Sequence, residues 1–169
     1  VLDVSPGFEP QNIIVAPMDR QSGTFEQVTV FYQTLLDRVR SLPKVDAAAL
    51  ATPLPFIGDD GRTGFRIEGR TTPSPFPVRA RPRFVSPGYF STLGIPLVRG
   101  RTFTDRDVAG APDVVIINAA AARRYWPDED PLGRRIDITF AERPRWFQIV
   151  GIVGDVKHAG LEQDTDPEA

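Results

Sequence analysis

One segment of this chain sustains a helical period, and Pro and Gly divide most of the rest into short pieces. Phe25, Val28, Tyr32, Leu35, Leu36, Val39 and Leu42 recur at spacings of three and four, which gathers them on one face of a helix. Thr24 with Gln27 three residues on fits a capping box, in which each side chain satisfies an exposed backbone N–H of the first turn. Pro43 marks the stop. On the polar side, Asp37 and Arg40 are spaced for a weak ion pair. The remaining core must come mainly from short strands.

Residues 12–16 form an apolar run after a Pro/Gly-rich lead-in and read as a strand. Residues 45–51 read as another, giving β-α-β at the N-terminus. From Pro53 to Pro82 the texture changes to prolines and turn signals, including Gly58-Asp59-Asp60-Gly61. This stretch reads as an insertion of extended structure and loops, with an alternating strand at 65–69. Residues 78–85 alternate again, and Pro82 makes them an edge or bulged strand. Residues 86–94 read as a short helix, with Ser86 as cap, Pro87 at its first position and Gly94 as the left-handed residue after its end.

An extended piece follows at 95–101, and Thr104 then caps an acidic turn. The four-residue apolar run 114–117 reads as a buried central strand. Asn118 caps a helix that Pro127 ends, and residues 130–133 form a turn. Residues 135–140 and 146–153 are strands, with Gly151 and Gly154 permitting close backbone approach. The polar tail from Gly160 is expected to fray. This order predicts an α+β fold with mixed sheets.

The chain has 20 Lys and Arg against 22 Asp and Glu. That balance argues against nucleic acid as a partner, because phosphate-binding proteins carry a basic face. The basic pairs Arg123-Arg124 and Arg134-Arg135 sit near acids and read as solvated faces. Cysteine is absent, which removes thiolate metal sites, cysteine nucleophiles and disulfides. The opening residues from Val1 lack the charge and apolar run of a signal peptide. No run approaches the ~20 apolar residues that span a bilayer. The chain therefore reads as a piece of a longer one, with spans expected before Val1 and after Ala169.

The search for chemistry yields weak candidates. His158 near Asp155 has the residue types of an oriented general base, but a polar loop residue is the plainer reading. Ser5, Ser22, Ser41, Ser74, Ser86 and Ser91 each have a turn or cap explanation, and no Gly-x-Ser-x-Gly elbow is present. Asp59 and Asp60 are adjacent, whereas a calcium loop needs alternating acids. Neither Gly58-x-x-Gly61-x-x-Gly64 nor Gly151-x-x-Gly154 is a dinucleotide fingerprint. Asp128, Glu129 and Asp130 lie in a Pro-bounded turn where acids are ordinary. Tyr89-Phe90 and Tyr125-Trp126 read as pins between short helices and sheets. No catalytic, cofactor or metal residue is assigned, and the chain is expected not to be an enzyme.

The run Phe84-Val85-Ser86-Pro87-Gly88-Tyr89-Phe90-Ser91-Thr92-Leu93-Gly94-Ile95-Pro96-Leu97-Val98-Arg99-Gly100-Arg101-Thr102-Phe103 resembles the MacB-like periplasmic core domain of FtsX-like ABC permeases. Three further stretches fit in order: Val114 to Asn118 leading to Ala122 to Pro127, then Asp130 to Ile136, then Ile149 to Val156. The front end, with Asp3, Pro6, Gly7, Phe8, Pro10 and Asn12, looks like the lead-in after a first transmembrane helix.

The resemblance implies a porter-like subdomain, residues 1–52 and 144–169, with a sabre-like α/β subdomain, 53–143, inserted. It implies a periplasmic location in an inner-membrane protein and ATP hydrolysis in a separate domain or subunit. The expected role is mechanotransmission, the coupling of transmembrane motion to export or to a periplasmic partner. The implied partners are the parent's transmembrane helices, the ABC ATPase indirectly, a periplasmic adaptor or exported substrate, and a second permease. The alternative is a permease-linked sensor or binding module for a peptide, lipid or lipoprotein. An apolar groove larger than a few hundred Å² would favour lipid handling; a flat polar patch would favour a protein.

Overall fold

The computed structural model describes residues 5–18, 22–52, 61, 63–70, 78–138, 145–158 and 165–169. In chain order its elements are α1 (Phe25–Arg40), β1 (Ala51–Thr52), β2 (Thr63–Ile67), β3 (Val78–Ala80), β4 (Phe84–Val85) and α2 (Tyr89–Thr92). There follow β5 (Leu97–Gly100), β6 (Val114–Asn118), α3 (Ala119–Tyr125), β7 (Arg135–Ile138) and β8 (Trp146–Val153). The fold is α+β, with one large sheet and a two-stranded ribbon of β1 and β4.

β8 organises the large sheet. Its first residues pair antiparallel with β7 and its last with β5, while β6 runs parallel to it from Gln148 to Val153. β2 extends the sheet beyond β7, and β3 beyond β2. Alternation along the strands sends side chains to two faces. Phe65, Ile67, Val115, Ile117, Ile136 and Ile149 meet Trp126 and Ala121 in one core. Ile116 and Val153 meet Tyr89, Leu93, Ile95 and Val156 in a second. Each fully buried Ile or Phe contributes roughly 1.5–3 kcal/mol relative to exposure. The ladders of β8 with β5, β6 and β7 join residues on both sides of position 143.

The capping box at Thr24 and Gln27 forms as expected, and Ser41 ends α1. Asn118 accepts from the Ala121 N–H at 2.9 Å and starts α3. Gly94 takes φ +65° after α2. Gly151 is required: a Cβ there would lie 2.1 Å from the Arg101 carbonyl oxygen, so β5 and β8 approach where no side chain fits.

Several expectations change. Residues 12–16 form no strand. Asn12 turns left-handed at φ +62° and Ile14 is 94% exposed, so the run has no ladder to join. In residues 45–51 only Ala51 is laddered, and the N-terminal β-α-β does not assemble. Residues 78–85 split at Pro82, which has no N–H for a ladder: β3 joins the large sheet and β4 joins β1. Ser86 does not cap α2. Its hydroxyl oxygen accepts from the Leu50 N–H, and Gly88 holds the N-cap position at φ +87°. Arg40 turns from Asp37 to the carbonyls of Ala48 and Pro87.

The acidic turn forms as expected, with the Thr104 hydroxyl accepting from the Arg106 N–H and Asp107 accepting the Thr104 N–H. β6 is buried but pairs with β8 alone among the described strands, so it is not central. Residues 165–169 do not fray: Glu168 bridges to Arg81, and the Ala169 N–H donates to the Arg81 carbonyl.

Candidate functional site

The tail creates a site that its sequence hides. Arg81 and Arg83 are two residues apart, and so are Asp166 and Glu168. Laid alongside, they pair one to one: Arg81 Nε with Asp166 at 2.8 Å, Arg83 with Glu168 at 3.2 Å. Asn118 fixes the tail from the other side, donating to the Asp166 carbonyl and accepting from the Glu168 N–H. Glu168 also faces His158, with Nε2 to Oε2 at 3.3 Å.

Above this polar group lies a cavity of about 270 Å³. Its walls are mainly apolar, supplied by Phe84 and Val85, α2 and its exit, Phe103, β6, Val153, Gly154 and Val156. Phe84, 58% exposed, marks where it reaches the surface. Arg83, Asn118, His158 and Glu168 give it a polar end, and Tyr89 adds its phenol. The Tyr89 hydroxyl and His158 Nδ1 are among the buried polar atoms of lining residues with no hydrogen-bond partner among the described residues. Burial, reinforced by the Glu168 carboxylate and opposed by Arg83, pushes the Tyr89 phenol up to about 12.

The residues singled out in sequence fall elsewhere or take other roles. Asp155 does not orient His158. Its carboxylate pairs with Arg123 at 2.6 Å and accepts the Ala120 N–H at 2.7 Å, closing the first turn of α3. The carboxylate that His158 meets is Glu168, which reading the tail as frayed concealed. Glu129 and Asp130 engage different cations, Glu129 with Arg70 and Arg134, and Asp130 with Arg99. They are separate exposed ion pairs, not a carboxylate pair.

Ser5, Ser41 and Ser91 make local turn bonds, whereas the Ser86 hydroxyl accepts from the distant Leu50 N–H. Asp59, Asp60, Gly58 and Ser74 lie outside the described residues. Tyr89 and Trp126 are buried as pins, and Tyr125 packs edge-on to Phe65.

α1 presents the other notable surface. None of its sixteen residues is buried, and Phe25, Val30 and Phe31 are 78%, 55% and 41% exposed. Ile14, Val15 and Met18 are exposed as well. No helix among the described residues is long and apolar enough to cross a membrane.

Residues 2–168 match the MacB-like periplasmic core domain. The chain is 33% identical over 73 residues to the macrolide export ATP-binding/permease protein MacB of Aggregatibacter actinomycetemcomitans, covering 43% of this chain and 11% of that protein. It is 29% identical over 135 residues to the protein of the same name from Neisseria gonorrhoeae, covering 80% and 18%. The chain thus spans less than a fifth of these relatives. The crystal structure of the periplasmic region of MacB from Actinobacillus actinomycetemcomitans superposes with a TM-score of 0.55 at 16% identity, over 81% of this chain and 53% of that one.

Proposed function

Because the chain belongs to the MacB-like periplasmic core domain family, we propose that it relays ATP-driven movement of a permease's transmembrane helices to an exported substrate or a periplasmic partner. The observation that carries this reading is α1. The apolar stripe of this capped helix is only half-buried, and Phe25, Val30 and Phe31 stand exposed around it for contact with something beyond these residues. Its C-terminal end is tied into the body by Arg40, bonded to the carbonyls of Ala48 and Pro87. A push on α1 therefore reaches the segment leading into α2. The proposed role is mechanical and binding, not catalytic, in keeping with the separate engagements of Asp155 and His158. On this reading the domain sits on the periplasmic side, with the ATPase acting on it through the membrane.

The test uses the full-length permease with its ATPase. Phe25→Ser with Val30→Ser removes two exposed apolar groups and should leave folding intact. Export should fall about tenfold while ATP hydrolysis continues, the signature of uncoupling. Unchanged export in this variant would refute the relay. A second reading, a permease-linked module that binds a lipid, peptide or lipoprotein, is favoured by the apolar cavity with its polar end.

A further inference from the structure

We propose that the cavity is a slot for a β-strand, and that it takes an extended, apolar peptide segment running on from residues 165–169. Its walls come from both cores. Val115, Ile138 and Phe147 side with the first, Tyr89, Ile116 and Val153 with the second. A pocket on one face of a sheet touches one core; a gap that reaches both has the shape of a strand's seat, since a strand sends side chains to both faces.

The two edges of the slot carry backbone groups in register. Residues 165–169 already lie between these edges at one end. They run parallel to residues 81–83: the Arg81 and Arg83 N–H groups donate to the Pro167 and Ala169 carbonyls, and the Ala169 N–H to the Arg81 carbonyl. On the other side the Asn118 N–H donates to the Glu168 carbonyl. Backbone groups alternate sides along a strand. The Ser86 N–H turns to Leu50 beside the β1–β4 ribbon, so the Val85 N–H faces the slot, as those of Arg81 and Arg83 do. The Asp113 carbonyl accepts from Gln148 of β8, so on β6 Val114 and Ile116 face the slot, as Asn118 does. These are the next rungs on each side, and Val85, Val114 and Ile116 all line the cavity.

The chemistry of the occupant follows from these walls. β6 is buried along nearly its whole length, although it ladders with β8 alone among the described strands. A strand seated on its other edge is covered on both faces, which calls for a continuous apolar run rather than alternation. From Asn118 back to Val114 the edge takes about four residues at ~3.4 Å each. A lipid chain fits the same apolar walls but offers nothing to the backbone groups of Val85 and Ile116, whereas a peptide satisfies them.

The inference goes beyond both functional readings, because it concerns what completes the sheet. Export assays do not bear on it, and its failure leaves the relay standing. The experiment appends four residues to Ala169 of the 169-residue chain, either Ile-Val-Ile-Val or, as control, Gly-Ser-Gly-Ser. With the apolar tail, amide exchange followed by NMR should be about tenfold slower at Val85 and Ile116 than in the control, the worth of one hydrogen bond. A Pro-Val-Pro-Val tail lacks the two N–H groups that would face β6 and leaves the domain itself unaltered; it should lose most of the slowing. Equal exchange in the first two chains, full slowing with the proline tail, or slowing that grows with protein concentration, the mark of a tail from a second copy, would overturn it.

Discussion

Asp137 is the charge whose partner matters most to stability, and Arg66→Met is the test. The two residues face each other across the β2–β7 ladder. Asp137 is 0% exposed, and it accepts from two nitrogens of Arg66, with Nε at 2.7 Å, and from the Arg145 N–H at 2.9 Å. Methionine keeps the aliphatic stem of Arg66 and deletes the guanidinium. The buried carboxylate then retains one backbone donor.

Two charge-assisted bonds are worth about 1.5–3 kcal/mol each. The Arg66 side chain is 44% exposed, so solvent screening takes the pair to the low end, a loss of about 2–3 kcal/mol. In a chain of this length each kcal/mol moves the melting temperature by roughly 2–4 °C, so the expected drop is about 4–12 °C. Asp137→Asn removes the buried charge as well as weakening the bonds, and should cost less. The assay is reversible urea unfolding followed by Trp126 and Trp146 fluorescence, with the double variant closing the cycle. A loss under about 0.5 kcal/mol for Arg66→Met, or a larger loss for Asp137→Asn, would show that Asp137 does not depend on Arg66.

Two further outcomes are expected. Asn118→Ala deletes a helix cap and frees the Asp166 carbonyl and Glu168 N–H inside the protein; it should cost about 2–4 kcal/mol, and hydrogen exchange should show residues 165–169 opening first. The hydrogen-bonded Arg101 guanidinium holds the Asp107 carboxyl near about 2, with added help from Thr104. The folded pKa is depressed, so this contribution is present above the unfolded value near 4 and is lost as pH falls through about 2. Acid titration of Asp107→Asn should lose this part of the wild-type decline.

What the sequence disclosed depended on how local the cause was. α1, its capping box and the Asn118 cap each follow from residues within a few positions, and all form; Gly151 marked a close backbone approach but not that Arg101 makes it. Strand pairing has no such local cause. Residues 12–16 have the composition of a strand but no neighbour, and residues 78–85 alternate evenly while serving two sheets. Alternation at 135–138 told Ile136 from Asp137 but not that both faces are covered, which is why Asp137 is buried. The cavity was illegible because it joins positions near 84, 116 and 168. Its one readable trace was the matched two-residue spacing of Arg81 and Arg83 with Asp166 and Glu168.

The position of β8 sets the order of events during synthesis. β5, β6 and β7 all ladder onto residues 146–153, so a ribosome emitting the chain in sequence delivers three strands before the one that joins them. Until then Val114–Asn118 is an apolar edge without a partner, the kind of segment that sticks to other chains. Pairings this distant in sequence also close slowly. The nascent domain therefore passes through a window in which β6 is exposed until β8 arrives.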